Sequence, residues 1–443
     1  MIRLFNGRQL STYIAPEHLD EWLHLEPFAS PLQNFLEKTL DLLIKAPTME
    51  DIALPPIRSR WFDVTSYGVL LTDSKTHKQG IQAAVDAASE AGGGTVWFPE
   101  GRYELTLDTK EEAALHVNAD YITLKGLGRA SVISITNTEV IPISIMGKMV
   151  QIQDLRFEHD QPPVGPGWAP RFYKTTIQVL RSNGTTLRNL SFRNPTICIT
   201  ATGVGNLTIK GITGQPLSIG IQIESPGGTV DISDVNFVGG WSDSKYVLDY
   251  TYSHLLAIST KSVSFPGSKV IFDSIIAVQC LSGFTFSGLG VGYGNLTNID
   301  IRNSSNASCV YGISIVGSDI KVNASDYMFS GLRRAEDGTI SAVSSTNACS
   351  VFNEGNAPAT WLSIVGFIVI GAGKSALQAD GNVTAVLEDI QIQDWGRDGT
   401  LDSPIPALLI NLGRCYLLRN CVFRQSDGSS LPSTGGTGKV YGL

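Results

Sequence analysis

The stretch Ile152-Gln-Asp-Leu-Arg-Phe157 decides the fold, because its pattern returns along the chain. An apolar residue stands first, a small polar residue third, and further apolar residues fourth and sixth. The other copies of this six-residue phrase are Leu187–Phe192, Ile232–Phe237, Phe272–Ala277, Leu387–Ile392 and Leu418–Phe423. Alternating apolar positions predict a strand with one buried face, and the small polar residue predicts a kink between two such faces.

The repeat recurs with the period of a solenoid. Leu187 and Leu207 occupy equivalent positions 20 residues apart, and Leu207 and Val230 are 23 residues apart. Self-similarity at such a period marks a chain of stacked coils. We therefore predict an all-β fold, a parallel β-helix of about a dozen coils over residues 115–425. Residues 426–443 are rich in Gly, Ser and Thr, and we predict a flexible tail there.

Composition excludes several classes of function. The 443 residues carry a net charge of −8, which argues against nucleic acid as a partner. The longest apolar run, residues 364–373, is too short to span a bilayer, and the N-terminus lacks the pattern of a secretory signal. The six cysteines form no CxxC pair and no zinc spacing, so we expect buried thiols and no metal. No nucleotide-binding motif is present, and we predict no cofactor.

Residues 1–60 differ from the repeat and predict a helical attachment module with a linker. Ser30-Pro31 has the pattern of a helix N-cap followed by proline at the first helical position. The apolar residues after it recur at helical spacing, at Leu32, Phe35, Leu36, Leu40, Leu43 and Ile44. Such a stripe must be covered, either by the β-helix or by another protein.

A further segment resembles a known family. The ordered set Phe62-Asp-Val-Thr-Ser-Tyr-Gly68, Gly80–Ala88 and Gly92–Tyr103 is similar to the N-terminal signature of the pectate-lyase-like superfamily. Many bacteriophage tailspikes and proteins related to family 28 glycoside hydrolases belong to that superfamily. A strand, an amphipathic helix, a glycine turn and a second strand would cap the open end of a solenoid at residues 61–114.

The resemblance implies a right-handed β-helix and a role in a phage tail. A protein of this type would bind, and in some cases depolymerise, a bacterial surface polysaccharide. It would form a homotrimer, contact other tail proteins through residues 1–60, and reside in the virion. Two alternatives stay open, namely a non-catalytic structural or adhesin component of a tail, and a free bacterial polysaccharide lyase or glycoside hydrolase.

The strongest candidate site follows the first copy of the phrase. Glu158 and Asp160 are predicted to point outward as an acid/base pair, because residues two apart on a strand share one face and lie about 7 Å apart, a spacing that inverting glycosidases use. The loop after them carries Trp168, Arg171 and Tyr173, which we predict to bind sugar. The alternative is a solvated strand face whose loop packs on a neighbouring subunit.

Two further clusters interrupt the repeat. Tyr250 and Tyr252 are predicted to share one strand face, with Asp249 as a third catalytic candidate on the other face. A row of tyrosines suits either sugar stacking or a subunit interface. Arg333 lies in a segment that predicts a charged turn, where it would hold an anionic sugar, stabilise an enolate in a lyase, or belong to a turn without a further role.

Overall fold

The computed structural model describes residues 60–105, 112–239, 245–262, 268–288, 296–334, 340–342, 346–353, 358–398 and 403–442. The chain divides between residues 59 and 60 into two units, and the description concerns the second. The predicted helical module, residues 1–60, therefore lies almost entirely outside the described residues.

The third residue of the phrase adopts a left-handed backbone conformation. Its φ is 58° at Asp154, 52° at Asn189 and 55° at Asp234, and the three other copies agree within a few degrees. Asn and Asp tolerate this region better than other residues with a Cβ atom, because their short side chains form local hydrogen bonds. The strand continues through the kink, and the inward positions shift by one residue from Ile152 to Leu155. The predicted kink is confirmed.

Two parallel sheets wind around one core. We number the strands in chain order. In the described residues, the first sheet has twelve short strands: β4 (Ala113–Val117), β7 (Ile141–Ile145), β9 (Ile177–Leu180), β11 (Ile197–Thr202), β13 (Ile219–Glu224), β15 (Leu256–Ser262), β17 (Ser282–Gly288), β20 (Tyr311–Val316), β24 (Asn347–Phe352), β26 (Leu377–Asp380), β29 (Leu408–Asn411) and β32 (Thr434–Gly435).

The second sheet contains the kinked strands. Its nineteen described strands are β1 (Trp61–Asp63), β2 (Gly94–Trp97), β3 (Gly101–Leu105), β5 (Ile122–Lys125), β6 (Ser131–Ile135), β8 (Gln151–His159), β10 (Thr185–Arg193), β12 (Leu207–Gln215), β14 (Thr229–Val238), β16 (Lys269–Val278), β18 (Leu296–Arg302), β19 (Ser305–Ala307), β21 (Ile320–Ser330), β25 (Thr360–Ile370), β27 (Val383–Glu388), β28 (Gln391–Gln393), β30 (Arg414–Leu417), β31 (Val422–Arg424) and β33 (Lys439–Tyr441).

The register of these strands places the copies of the phrase on top of one another. Leu190 pairs with Leu155 in one neighbouring coil and with Ile212 in the other. The inward side chains form one continuous core, in which the rings of Phe157 and Phe192 stack with centroids 5.1 Å apart. Parallel pairing of successive coils defines a parallel β-helix, as predicted. Five of the six cysteines are buried in it as free thiols.

A helix closes the N-terminal end of the core. Helix α1 (His77–Glu90) buries one stripe, formed by His77, Gly80, Ile81, Ala84, Val85 and Ala88. Gly80 is required because a Cβ atom there would lie 2.6 Å from the Val69 side chain and 2.8 Å from its backbone nitrogen. The strand, helix, glycine turn and strand of the predicted cap are all present. In the described part of the chain no helix is long and apolar enough to cross a membrane.

The prediction of a flexible C-terminal tail is wrong for residues 426–442. Strand β32 pairs with β29, and β33 pairs with β30, so these residues extend both sheets by one coil. The Tyr416 and Tyr441 rings stack with centroids 5.0 Å apart. The physical reason is that the last coil exposes unpaired backbone groups, which polar residues can satisfy without any core of their own.

The long insertions leave the rod at one position in the coil. They separate a strand of the nineteen-stranded sheet from the next strand of the twelve-stranded sheet, at residues 160–176, 239–255, 331–346 and 394–407, of which 240–244, 335–339, 343–345 and 399–402 are outside the described residues. We call this line the insertion edge. Because coils stack about 4.8 Å apart, the first two insertions, three coils apart, begin roughly 14 Å from each other.

Candidate functional site

Glu158 lies beside three arginines from three different strands. Its carboxylate is 2.6 Å from an Arg102 guanidinium nitrogen, 2.6 Å from one of Arg156 and 3.9 Å from one of Arg193. Arg193 is the register partner of Glu158 on β10, and Arg156 precedes it by two residues on β8. Only 14% of the Glu158 side chain is exposed. The Glu158 side chain therefore points outward, as the repeat predicted, but three guanidinium groups surround it.

The charges around Glu158 keep it ionised. Burial alone would raise the pKa of this carboxyl, but the hydrogen bond from Arg102 and the charges of Arg156, Arg102 and Arg193 outweigh it, so the pKa lies below its usual value. A carboxylate held in this form can accept a proton or orient its partners, but it is poorly suited to donate a proton at neutral pH. The environment of Glu158 thus favours the base or a positioning role in the predicted acid/base pair.

Asp160 begins the first insertion and is tied to it. Its carboxylate forms an ion pair with Arg171, and its backbone carbonyl accepts a hydrogen bond from the Tyr173 hydroxyl. The Arg171 backbone nitrogen donates to the Gln161 side chain at 2.8 Å. These bonds fold the loop back on the end of β8. The side chains of Asp160 and Arg171 are both about half exposed, at 60% and 49%.

The prediction that Tyr173 binds sugar is wrong. Its side chain is 4% exposed, its ring packs edge-on against His159 at 4.9 Å, and its backbone nitrogen donates to Thr196 at 2.7 Å. The tyrosine therefore anchors the loop to the coil above, to which Thr196 belongs. His159 is also buried, and burial lowers the pKa of its imidazole to about 3, which keeps it neutral.

The second cluster lies on a helix, not on a strand. Helix α2 (Lys245–His254) buries Val247, Leu248 and Thr251, which recur at helical spacing. This stripe outweighs the strand preference of the valine and tyrosines, since tertiary burial overrides propensity. On a helix Tyr250 and His254 share a face four residues apart, and their rings stack at 4.2 Å. The predicted strand face shared by Tyr250 and Tyr252 is thus replaced by one shared by Tyr250 and His254.

The two insertions meet in an aromatic cluster. The Tyr250 ring lies 6.0 Å from Trp168, edge-on, and 6.4 Å from Phe172. Phe172 is 59% exposed, and Trp168 and Tyr250 are half-buried. We name Trp168, Phe172, Tyr250 and His254 the aromatic cluster. The structure therefore joins two groups of residues that are about 80 positions apart in the sequence.

The remaining candidates are less closely connected. Asp249 is exposed, and in the described ranges no hydrogen bond or ion pair joins it to Glu158 or Asp160. Arg333 lies in a short hairpin, where β22 (Leu332–Arg334) pairs antiparallel with β23 (Ile340–Ala342). The turn of this hairpin, residues 335–339, lies outside the described residues. No group of three metal-ligating side chains occurs among the residues that the structure describes.

Arg102 and Arg193 are site residues that the sequence analysis missed. A signal for Arg193 was present, because it follows Phe192 just as Glu158 follows Phe157 in the aligned phrase. Extending the phrase by one residue pairs these two charges on neighbouring coils. Arg102 comes from the N-terminal cap, where the phrase is absent, and its approach to Glu158 depends on the packing of β3 beside β6.

Comparison with known proteins finds similarity in fold only. No family model and no curated protein matches this chain. Among solved structures, the catalytic domain of a GH87 α-1,3-glucanase in complex with nigerose has a TM-score of 0.54 and 14% identity, over 86% of this chain and 68% of that one. The GH87 catalytic unit from Streptomyces thermodiastaticus strain HF3-3 has a TM-score of 0.51 and 15% identity, over 88% and 70%.

A third solved structure has the same fold. The family 28 exopolygalacturonase of Yersinia enterocolitica has a TM-score of 0.52 and 10% identity, over 86% of this chain and 78% of that one. At such identities these likenesses concern the fold alone. The chain is a right-handed parallel β-helix, and its resemblance to pectate-lyase-like proteins is confirmed at the level of the fold.

The charge environment of Glu158 leads to a test of pH-dependent stability. Because the pKa of the folded carboxyl is lowered, its contribution to stability is present above the unfolded pKa of about 4.3 and is lost as the pH falls through the folded value. We expect Glu158→Gln to lower the denaturant midpoint at pH 7, with the difference from wild type shrinking below about pH 4. Asp231→Gln, at an exposed position on β14, is the control. A difference independent of pH would contradict the assignment.

Proposed function

We propose that the protein binds a bacterial surface polysaccharide at the aromatic cluster and depolymerises it. The observation that carries the proposal is the convergence of two separate insertions on Tyr250, which leaves the Phe172 ring 59% exposed. Flat aromatic faces stack on the apolar faces of sugar rings, and a partly exposed, edge-supported group of rings offers such faces at low entropic cost.

The structural neighbours support a polysaccharide as the ligand. They are α-1,3-glucanases and an exopolygalacturonase, and one was solved with nigerose. A β-helix offers an elongated surface on which successive coils can contact successive sugar residues. The resemblance of residues 62–103 to tailspike proteins supports a bacterial surface polysaccharide in particular.

Two exposed carboxylates are connected to the aromatic cluster through neighbouring residues in the sequence. Asp160 is ion-paired to Arg171, the residue before Phe172, and Asp249 is the residue before Tyr250. In hydrolysis one carboxyl group donates a proton to the leaving glycosidic oxygen, and the other removes a proton from the attacking water or attacks the sugar itself. We assign the base or nucleophile to Asp160, which forms an ion pair with Arg171, and the acid to Asp249. Glu158 orients the neighbouring arginines.

The test of this function compares single variants of the two carboxylates. We expect Asp160→Asn and Asp249→Asn each to slow the release of reducing ends at least 100-fold, in assays on a panel of purified capsular and O-antigen polysaccharides. Phe172→Ala should weaken binding of the same polysaccharide. Asp231→Asn is the control, since that aspartate is exposed on β14 away from the insertion edge. Full activity in both carboxylate variants would exclude this site, and failure of the wild type to bind any polysaccharide would exclude the function.

We further propose that the protein is a homotrimeric virion tail component, attached to other tail proteins through residues 1–60. An exposed apolar row on the second sheet supports trimer formation. It runs along the axis at Ile276, Met328, Ile368 and Val422, each at least 36% exposed, with Ser305 and Gln391 as the polar register partners between them. Three copies related by a three-fold axis parallel to the rods would bring this row together along that axis, where its apolar side chains would be buried against one another.

Sedimentation analysis tests the trimer. We expect the wild type to sediment as three chains of 47.6 kDa, and Ile368→Glu to sediment as a monomer because it places a charge in the apolar row. Val365→Glu is a matched control, since Val365 lies on the same strand with 37% exposure but on the other side of the kink at Gly366.

Deletion of residues 1–60 should leave the trimer intact and prevent incorporation into virus particles. A monomeric wild type would favour a free bacterial enzyme.

A further inference from the structure

The surroundings of Glu158 form a positive island on an acidic protein. Arg102, Arg156 and Arg193 carry three positive charges against one carboxylate, whereas the whole chain has a net charge of −8. The nearest acidic residue in the same outward row is Glu104, two strands away through Ser134, at a distance of about 10 Å. One carboxylate does not neutralise three guanidinium groups.

The three guanidinium groups retain donors for a ligand. Arg193 is 57% exposed, and its 3.9 Å separation from Glu158 is longer than a hydrogen bond. Arg102 donates to Glu158 and, at 2.8 Å, to Ser134, yet its side chain is still 59% exposed. The Nε atom of Arg156 is buried and has no hydrogen-bond partner in the described residues. A buried donor without a partner costs free energy unless a ligand or water satisfies it.

The island lies next to the proposed glycan surface. Glu158 is two residues before Asp160, whose ion pair with Arg171 holds the loop that carries Phe172. Arg193 ends β10 one coil above, on the side of the insertion edge. Glu158 holds the arginines in place because it accepts from Arg102 and pairs with Arg156 at 2.6 Å. A sugar chain on the aromatic cluster would thus have an arginine group beside it.

We propose that Arg102, Arg156 and Arg193 bind the carboxylate of a uronic acid residue, so that the polysaccharide of this protein is acidic. Guanidinium groups match a planar carboxylate with two parallel hydrogen bonds, which a neutral sugar cannot offer. This inference rests on the proposed function and narrows it. It also distinguishes the chain from the α-1,3-glucanase neighbour, whose bound nigerose is an uncharged disaccharide.

The experiment compares each acidic polysaccharide with a chemically matched neutral form. Bacterial capsular polysaccharides with one uronic acid per repeat are tested by calorimetry or surface binding, both native and after reduction of the carboxyl groups to alcohols. We expect the wild type to bind at least one native polymer about tenfold more tightly than its reduced form, in line with one or two charge-assisted hydrogen bonds. Raising the salt concentration should reduce the difference.

Two arginine variants locate the effect. We expect Arg193→Gln to bind the native polymer about tenfold more weakly and to leave the affinity for the reduced polymer unchanged. Arg188→Gln is the matched control, because Arg188 is exposed on the same strand but lies before the kink at Asn189. Circular dichroism and the unfolding midpoint check that both variants are folded.

The outcomes separate this inference from the function on which it rests. Equal affinity of the wild type for native and reduced polymers would overturn the acidic specificity and leave glycan binding intact. An equal loss in Arg188→Gln and Arg193→Gln would overturn the assignment to these three arginines. Absence of binding to every polymer in either form would overturn both proposals together.

Discussion

The left-handed residue in the middle of each long strand is the constraint on which the structure depends. It bends one strand into two faces and shifts the inward positions by one, as between Ile152 and Leu155. Neighbouring kinks also bind each other, since the Asn189 side chain donates to Asp154 at 3.0 Å and Asn420 donates to Asp389 at 2.7 Å. A strand with side chains of period two would otherwise be free to slip by two residues. The row of kinks therefore fixes the register between coils.

The register in turn determines which functional side chains lie close to one another. Because the long strands bend at equivalent residues, the long insertions leave the rod along one edge, and two of them meet at Tyr250. The same register places Arg193 beside Glu158, although the two residues are 35 positions apart in the sequence. The core is filled by residues of the repeat, and the insertions carry the exposed aromatic and acidic groups. The repeat thus forms the core and the insertions form the proposed site, and both arrangements depend on the left-handed backbone conformation at the kink.

Much of the fold could be predicted from local patterns, and much of the site could not. The six-residue phrase contains both the alternation of buried and exposed positions and the residue at the kink. Its repetition along the chain is therefore enough to predict the β-helix. Tyr173 is a residue type that commonly binds sugars, but contacts with Thr196 and His159 bury it in this structure. Neither contact could be predicted from the local sequence. The helix at residues 245–254 has β-forming side chains, and only its buried stripe explains it. Arg102 reaches Glu158 through tertiary packing that no local pattern records.

The most direct test of the left-handed constraint is the unfolding midpoint of three variants in denaturant. Gly211 occupies the position equivalent to Asn189 in the next coil with φ 69°, so Asn189→Gly keeps the backbone conformation and should cost only about 1 kcal/mol, the contribution of the lost hydrogen bond to Asp154. Asn189→Val should cost about 1–2 kcal/mol more than the glycine variant, because a β-branched residue is strained at positive φ. The neighbouring exposed change Arg188→Val should be nearly neutral. Equal stability of the glycine and valine variants would contradict the account.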